Sequence, residues 1–294
     1  MRILVTIPHF FRRAPTDAPA HYGSEAGDLA GRASQVARCI ASLHWAFGPR
    51  QSLSAVPEPV GANTTLRGEL DVVLVTTGDQ HLADLLPQHL FTHVAADTEP
   101  RHLGFICQQL LRDHAGRYDY FVYLEDDLEI LDPLFLSKLA WFTATFGQST
   151  LLQPNRYELA HDLEIMKCYI DGNTTQPELP ALFQDISVRP RVLGEAFGRS
   201  FLFERVNNVH SGCFFLNASQ LVRIASSPRF GTPSAEFFGP LETAATMMIM
   251  RTFEVYKPAR ENAAFLELQH LGRRFLFARQ SAPSPDSEPD PPAA

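Results

Sequence analysis

Compact apolar runs alternate with helix-period segments through the first 130 residues, and this alternation is the strongest constraint on the fold. Residues 2–7 form an apolar run rich in β-branched side chains, closed by Pro8. Such a run predicts a strand buried on both faces. A loop rich in Gly, Pro, Asp and Ala follows, from Arg13 to about Gly31. Ala33, Val36, Ala37, Ile40, Leu43, His44 and Phe47 then recur at helical spacing until Gly48 and Pro49 stop the helix. Residues 51–69 read as a loop and 70–76 as a second buried strand. A short helix is expected over 81–90, a third strand over 91–96 and a helix over 103–114. A fourth strand centres on Tyr120, Phe121, Val122, Tyr123 and Leu124. Strand and helix in turn predict an α/β fold, with a mostly parallel central sheet flanked by helices on both faces.

The second half is less regular. A helix is expected over 133–146, a strand over 151–153, a strand over 212–216 and a helix over 218–225. Pro240 opens a further helix, 240–252, at its first turn. Residues 171–201 are Pro-rich and suggest no regular element. Trp45 and Trp141 lie on amphipathic helices and are expected in the core.

The composition is 45% apolar and 20% charged, as in globular chains. A net charge of −8 argues against nucleic acid as a general partner. Part of that surplus sits in residues 281–294, which carry Asp286, Glu288, Asp290 and five prolines without aromatic or β-branched side chains. That composition predicts a disordered tail. Cys39, Cys107, Cys168 and Cys213 are scattered, which suggests reduced thiols and a cytoplasmic protein. No apolar run is long enough to span a bilayer, leaving room only for a weak peripheral membrane contact. The apolar start of the chain is too short for a signal peptide.

The strongest chemical signal is Glu125-Asp126-Asp127-Leu128-Glu129, where four carboxylates follow directly on the fourth strand. Ligands of open α/β sheets bind at the carboxyl ends of strands. In extended chain Glu125 and Asp127 share one side, and two carboxylates so placed repel unless a cation sits between them. Mg²⁺ or Mn²⁺ suits such oxygen donors, with substrate phosphates supplying further ligands. Pro8-His9-Phe10-Phe11 after the first strand offers no G-x-G-x-x-G dinucleotide loop. The chain also has no G-x-x-x-x-G-K-[ST] loop and no G-x-S-x-G elbow.

A short first strand ending in Pro, the helix containing Cys39 to Gly48, and a fourth strand ending in acid together resemble the GT-A type (Rossmann-like) glycosyltransferases. Glu125-Asp126-Asp127 stands at that family's D-x-D position and is locally similar to the E-D-D segment of N-acetylglucosaminyltransferase I. His210-Ser211-Gly212-Cys213-Phe214-Phe215-Leu216, with the helix after it, resembles the acceptor-side strand and helix of inverting members. Gly239-Pro240-Leu241-Glu242 resembles the opening of the helix that carries an acidic x-E-D residue, although Thr243 replaces the Asp. His270 lies where many members carry a metal-ligating histidine.

The resemblance implies a hexosyltransferase that moves a sugar from a nucleotide-sugar donor to a glycan or other hydroxyl acceptor, and the single candidate base suggests inversion. It implies Asp127 as direct ligand of Mn²⁺ or Mg²⁺, with Glu125 and His270 completing the metal shell. Glu125 and Asp126 would also hold the ribose or metal-bound water. Thr6, Pro8, His9 and Asp79 would contact the donor, with Asp97 as another candidate. Arg12, Arg13 and Arg32 could reach phosphate by bidentate pairing. Glu242 is the candidate base for the acceptor hydroxyl, with Asp185, Glu195 and Glu236 behind it. Gln153, Asn155, Arg156, Tyr157 and Glu158 form a polar set suited to sugar hydroxyls. Residues 1–130 would form the nucleotide-sugar-binding half and 131–280 the acceptor-binding half of one domain. A nucleotidyltransferase that makes nucleotide sugars, and a non-catalytic sugar-binding domain on the same scaffold, are the competing readings.

Overall fold

The computed structural model describes residues 1–12, 28–54, 58, 60–160, 164–174 and 176–276. Arg13 and the tail 281–294 lie outside the described residues.

Strand β1 (Arg2–Pro8) has five consecutive buried residues, Ile3 to Ile7. Helix α1 (Leu29–Phe47) starts four residues earlier than its apolar period suggests, because Asp28 caps it by accepting from the Gly31 N–H. It buries Val36, Cys39, Ile40, Leu43 and Phe47. Trp45 departs from expectation, 63% exposed on the outer face. Within the expected loop 51–69 lies a small hairpin, β2 (Ser52–Leu53) and β3 (Val60–Gly61). Then come β4 (Glu69–Thr77) and β5 (Thr92–Ala96). Between them the expected short helix is two 3₁₀ turns, Ala83–Leu85 and Gln88–Leu90. Pro87 separates them, and proline cannot continue an α-helical hydrogen-bond ladder. Helix α2 (Leu103–Asp113) and strand β6 (Tyr120–Leu124) complete the first half.

Past the acidic turn, β7 (Leu128–Glu129) leads to α3 (Phe135–Phe146), β8 (Thr150–Leu152), β9 (Asn155–Leu159) and β10 (Lys167–Tyr169). The Pro-rich 171–201 region holds the short helix α4 (Glu178–Ala181). It also holds a hairpin of β11 (Arg191–Ala196) and β12 (Arg199–Glu204). The hairpin loop is Phe197-Gly198, both at positive φ (52° and 69°), the backbone of a type I′ turn. Phe is not a residue that advertises such a turn. Strand β13 (Cys213–Asn217) and helix α5 (Ala218–Ala225) follow, the latter closed by an Asn217–Gln220 capping box. The 240–252 segment is helical in three pieces: α6 (Pro240–Glu242), a π turn (Thr243–Met247) and α7 (Met248–Thr252). Strands β14 (Glu254–Pro258) and β15 (Glu267–His270) end the described fold.

The central sheet runs β13-β6-β1-β4-β5. Four strands are parallel, and β13 lies antiparallel on β6. The molecule is thus a mixed α/β protein with a mostly parallel sheet and helices around it. Alternation along β1 divides the core: Ile3, Val5 and Ile7 face α1 and α3, whereas Leu4 faces α2, α5 and α7. Two four-stranded sheets, β10-β9-β15-β7 and β11-β12-β14-β8, build up the second half. All four cysteines are free. Among the described residues no helix is long and apolar enough to cross a membrane.

Candidate functional site

At the carboxyl end of β6 the chain turns sharply. The Glu125 N–H donates to the Gly212 carbonyl (2.9 Å), and the Leu128 N–H returns to the Glu125 carbonyl (3.3 Å). Gly212 sits at φ +63°, and a Cβ there would run into the Glu125 carboxylate. Glycine is required by both backbone and space.

The four carboxylates of this turn have separate fates. Asp126 faces inward, 7% exposed, between His9 and Arg32. The Leu82 N–H donates to His9 Nε2 (3.0 Å), so Nε2 is the acceptor nitrogen and Nδ1 carries the proton given to Asp126 (2.6 Å). Arg32 is 4% exposed and pairs with the other Asp126 oxygen. Glu129 is held by Arg38. That leaves Glu125 and Asp127.

Asp127 Oδ1 is buried without a hydrogen-bond partner. Oδ2 lies 3.5 Å from His270 Nε2. Burial works to raise this carboxyl, but His270, Arg32 and Arg156 overcome it and hold it below the usual carboxylate range. Glu125 is shifted the other way, upward, first by burial and then by Asp127. Among the described residues no hydrogen bond reaches the Glu125 carboxylate.

Strand pairing brings His270 here. β15 pairs with β7 just beyond the turn, His270 opposite Leu128, and the Leu271 N–H donates to the Asp127 carbonyl (2.8 Å). β9 runs parallel to β15 and supplies Glu158, whose Oε1 is 2.9 Å from His270 Nδ1. Glu158 also accepts from the Leu276 N–H (2.7 Å), pinning the end of the described chain. Burial lowers the His270 pKa, yet the two carboxylates more than reverse this and push it up to about 9.

These groups open into a cleft of about 200 Å³. Its lining brings Glu125, Asp126, Asp127 and Arg32 together with His210, Leu241 and Glu242, and Pro8, Phe10, Pro100, Leu103 and Tyr123 supply apolar surface. Glu242 stands in the first turn of α6. Thr243 closes that helix start by donating to the Gly239 carbonyl (2.6 Å) and accepting from the Phe237 N–H (3.0 Å).

Pro8, His9, Glu125, Asp126, Asp127 and Glu242 therefore meet, with His270 alongside. Two other expected donor contacts do not join them. Thr6 is sealed inside the sheet, donating to the Val122 carbonyl (3.2 Å). Asp79 is exposed after β4 and is not among the cleft residues. Asp97, Asp185, Glu195 and Glu236 also lie outside the cleft, Glu236 paired with Arg229 and Arg251. In the polar set after β8, Gln153, Asn155, Arg156 and Glu158 bond to other parts of the protein rather than standing open to sugar hydroxyls. Gln153 bonds the Cys213 carbonyl, Asn155 the Pro258 carbonyl, and Arg156 the Asp171 carboxylate.

Sequence reasoning missed the buried charges behind the cleft. Asp171 accepts from Arg156 Nε (2.8 Å) and from Lys257 Nζ (2.7 Å). Burial opposes its ionisation, but the two cations pull its pKa down to about 2. Because this value lies below the unfolded one, the carboxylate stabilises the fold above about pH 4. The contribution is lost as the pH falls through about 2. Asp171→Asn should therefore melt well below wild type at pH 7, with the gap narrowing towards pH 2. Melts that stay equally far apart at both pH values would refute this. His210 was also missed. It lines the cleft, with Nδ1 2.8 Å from Thr246 Oγ1. Burial and the neighbouring Arg156 push its pKa down to about 3, so the ring is neutral.

No protein-family model matches the chain. No curated protein matches it either. Among solved structures it is similar to one titled "Crystal Structure of a Mycobacterial Protein". The identity is 13%, over 92% of this chain and 67% of that one, with a TM-score of 0.43. This likeness is too loose to assign a family.

Proposed function

We propose that this chain is a divalent-cation-dependent glycosyltransferase with a GT-A-like fold. It would move a sugar from a nucleotide-sugar donor to a hydroxyl acceptor, with inversion. One observation carries the reading: Asp127, with a buried unpartnered oxygen, and Glu125, whose carboxylate no hydrogen bond reaches among the described residues, face the same cleft as Glu242. The first two are what a cation would relieve, and no hydrogen bond among the described residues occupies the third.

The donor set fits Mg²⁺ or Mn²⁺. Among the described residues no group of three or more His, Cys, Asp or Glu could hold a metal unaided. Mg²⁺ commonly takes only one or two carboxylates and completes its shell with phosphates and water. Asp127 and Glu125 would hold it. His270 lies beside them with Nδ1 oriented by Glu158, as carboxylates orient metal-ligating imidazoles, and would give up its Nε2 proton on joining the cation. When bound, the cation neutralises charge developing on a leaving diphosphate.

The other roles fall to the chain itself. Glu242 accepts the proton of the acceptor hydroxyl. Pro8, Phe10, Pro100 and Leu103 offer apolar surface and exclude water. The cleft is smaller than typical ligand pockets of roughly 300–1,000 Å³, so its enclosed part takes only the reacting end of a larger donor.

Thermal melting with nucleoside diphosphates and nucleotide sugars, with and without Mg²⁺ or Mn²⁺, tests the reading. At a hundredfold excess over Kd, binding adds about 2.7 kcal/mol to apparent stability. The expected shift needs the metal and disappears in Asp127→Asn. A shift that is metal-independent, or that survives in the variant, overturns it. Metal-dependent binding without release of nucleoside diphosphate favours the non-catalytic alternative.

A further inference from the structure

We propose that His210 is a substrate-contacting residue: its imidazole, anchored at Nδ1 by Thr246, presents Nε2 to a sugar hydroxyl beside Glu242. The inference deepens the glycosyl-transfer reading of this cleft and rests on it.

The anchoring is unusual in origin. A π turn, Thr243–Met247, interrupts the helix directly after Glu242. Such turns cluster at functional sites. Thr246 lies within this one, with its hydroxyl 2.8 Å from His210 Nδ1. The His210 backbone is held too, its carbonyl accepting from Lys257 Nζ (3.1 Å) and its N–H donating to Asn208 Oδ1 (3.3 Å). Ring and backbone are thus fixed on every side except at Nε2. Among the described residues no hydrogen bond reaches Nε2, and it is not among the sealed unpartnered atoms, so it is open to the cleft.

A second group shares this property. Tyr123 is 1% exposed and stacks on Phe214, with ring centroids 5.3 Å apart. It lines the cleft, yet no protein group among the described residues bonds its hydroxyl, which is not sealed either. Gly104 makes room for it: a Cβ there would come within 3.1 Å of the Tyr123 oxygen.

A neutral imidazole and a phenol hydroxyl, both rigidly held and both unsatisfied, call for a partner that donates and accepts without bringing charge. Sugar hydroxyls meet that requirement. Glu242 lines the same cleft, so the three groups would each take one hydroxyl of a sugar ring bound there. Buried polar groups left unpaired penalise a ligand that lacks the matching hydroxyl, which makes His210 a specificity determinant.

Two substitutions separate substrate contact from a structural role. In His210→Gln the longer amide reaches towards the place of Nε2, and in His210→Asn the shorter one reaches that of Nδ1. Both are probed by saturation-transfer NMR with glucose, galactose, mannose and N-acetylglucosamine, in the presence of UDP and Mg²⁺. Wild type and His210→Gln should bind at least one of these sugars, and His210→Asn should bind it at least tenfold more weakly while melting near wild type. Equal sugar binding by wild type and His210→Asn, or rescue by Asn and not Gln, overturns the proposal. The metal-dependent nucleotide shift, recorded on the same samples, reports on Asp127 separately. Its absence alongside sugar binding refutes the donor reading while sparing His210.

Discussion

Asp126→Ala should lower stability by about 3–5 kcal/mol, the usual cost of removing one partner from a buried ion pair. Arg32 is 4% exposed and its Nε already has no partner, so it cannot turn to solvent for compensation. His9 loses its acceptor in the same step, and its Nε2 link to the Leu82 N–H loosens with it. A denaturant titration reads the loss directly from the midpoint if the slope is unchanged. Two further variants sharpen the cause. Asp126→Asn keeps the shape and should cost less. Replacing Asp126 and Arg32 together by Leu and Met removes the stranded charge and should recover part of the loss. If the double variant is no more stable than Asp126→Ala, the stranded charge is not the reason. The same variants separate two roles within one turn. Asp126 anchors it through Arg32 and His9, whereas Glu125 and Asp127 present oxygens to the cleft that no such pair takes up.

That division was not legible in the sequence. Three adjacent carboxylates look alike in a string, and extended-chain alternation pairs Glu125 with Asp127 without saying where Asp126 goes. Only the return of His9 and Arg32 to the same point shows Asp126 as an anchor. The central strands were readable because each is a run of apolar residues buried on both faces. β9 was not readable because its burial falls largely on polar and charged residues, and β14 and β15 because their buried apolar residues, Val255, Tyr256 and Leu268, are too few to show a period. Asn155, Arg156, Glu158 and Lys257 are buried and satisfied by partners far away in the chain. A pattern of apolar side chains cannot register strands held by ion pairs. His210 was missed for a related reason. Its neighbours in sequence suggest only the approach to a strand, and its role depends on Thr246, 36 positions later, reached through a π turn. The place of Glu242 at a helix start was readable, because Gly-Pro before a helical period marks such a start and an acid in the first turn is favoured there.

Glu242→Gln should leave metal-dependent nucleotide binding intact and lower sugar transfer by roughly 10²–10⁴-fold, the range for losing a positioned general base. Among the described residues no hydrogen bond or ion pair ties up its carboxylate, and Gly239 gives it room, since a Cβ there would come within 2.9 Å of Oε2. The amide of glutamine keeps that shape but cannot take a proton. The helix start should survive, because it is closed by Thr243 rather than by Glu242. The melting temperature should therefore stay near that of wild type, which separates loss of chemistry from loss of fold. Transfer measured with the donor that gives the largest metal-dependent shift decides the matter. Turnover within twofold of wild type would remove Glu242 as the base. Asp126 is committed to Arg32 and His9, and Glu125 and Asp127 would be held by the cation, so among the described residues the cleft would keep no other carboxylate to take the proton. Chemistry without a protein base would then have to be considered for this site, with the hydroxyl activated by the substrate's own phosphate.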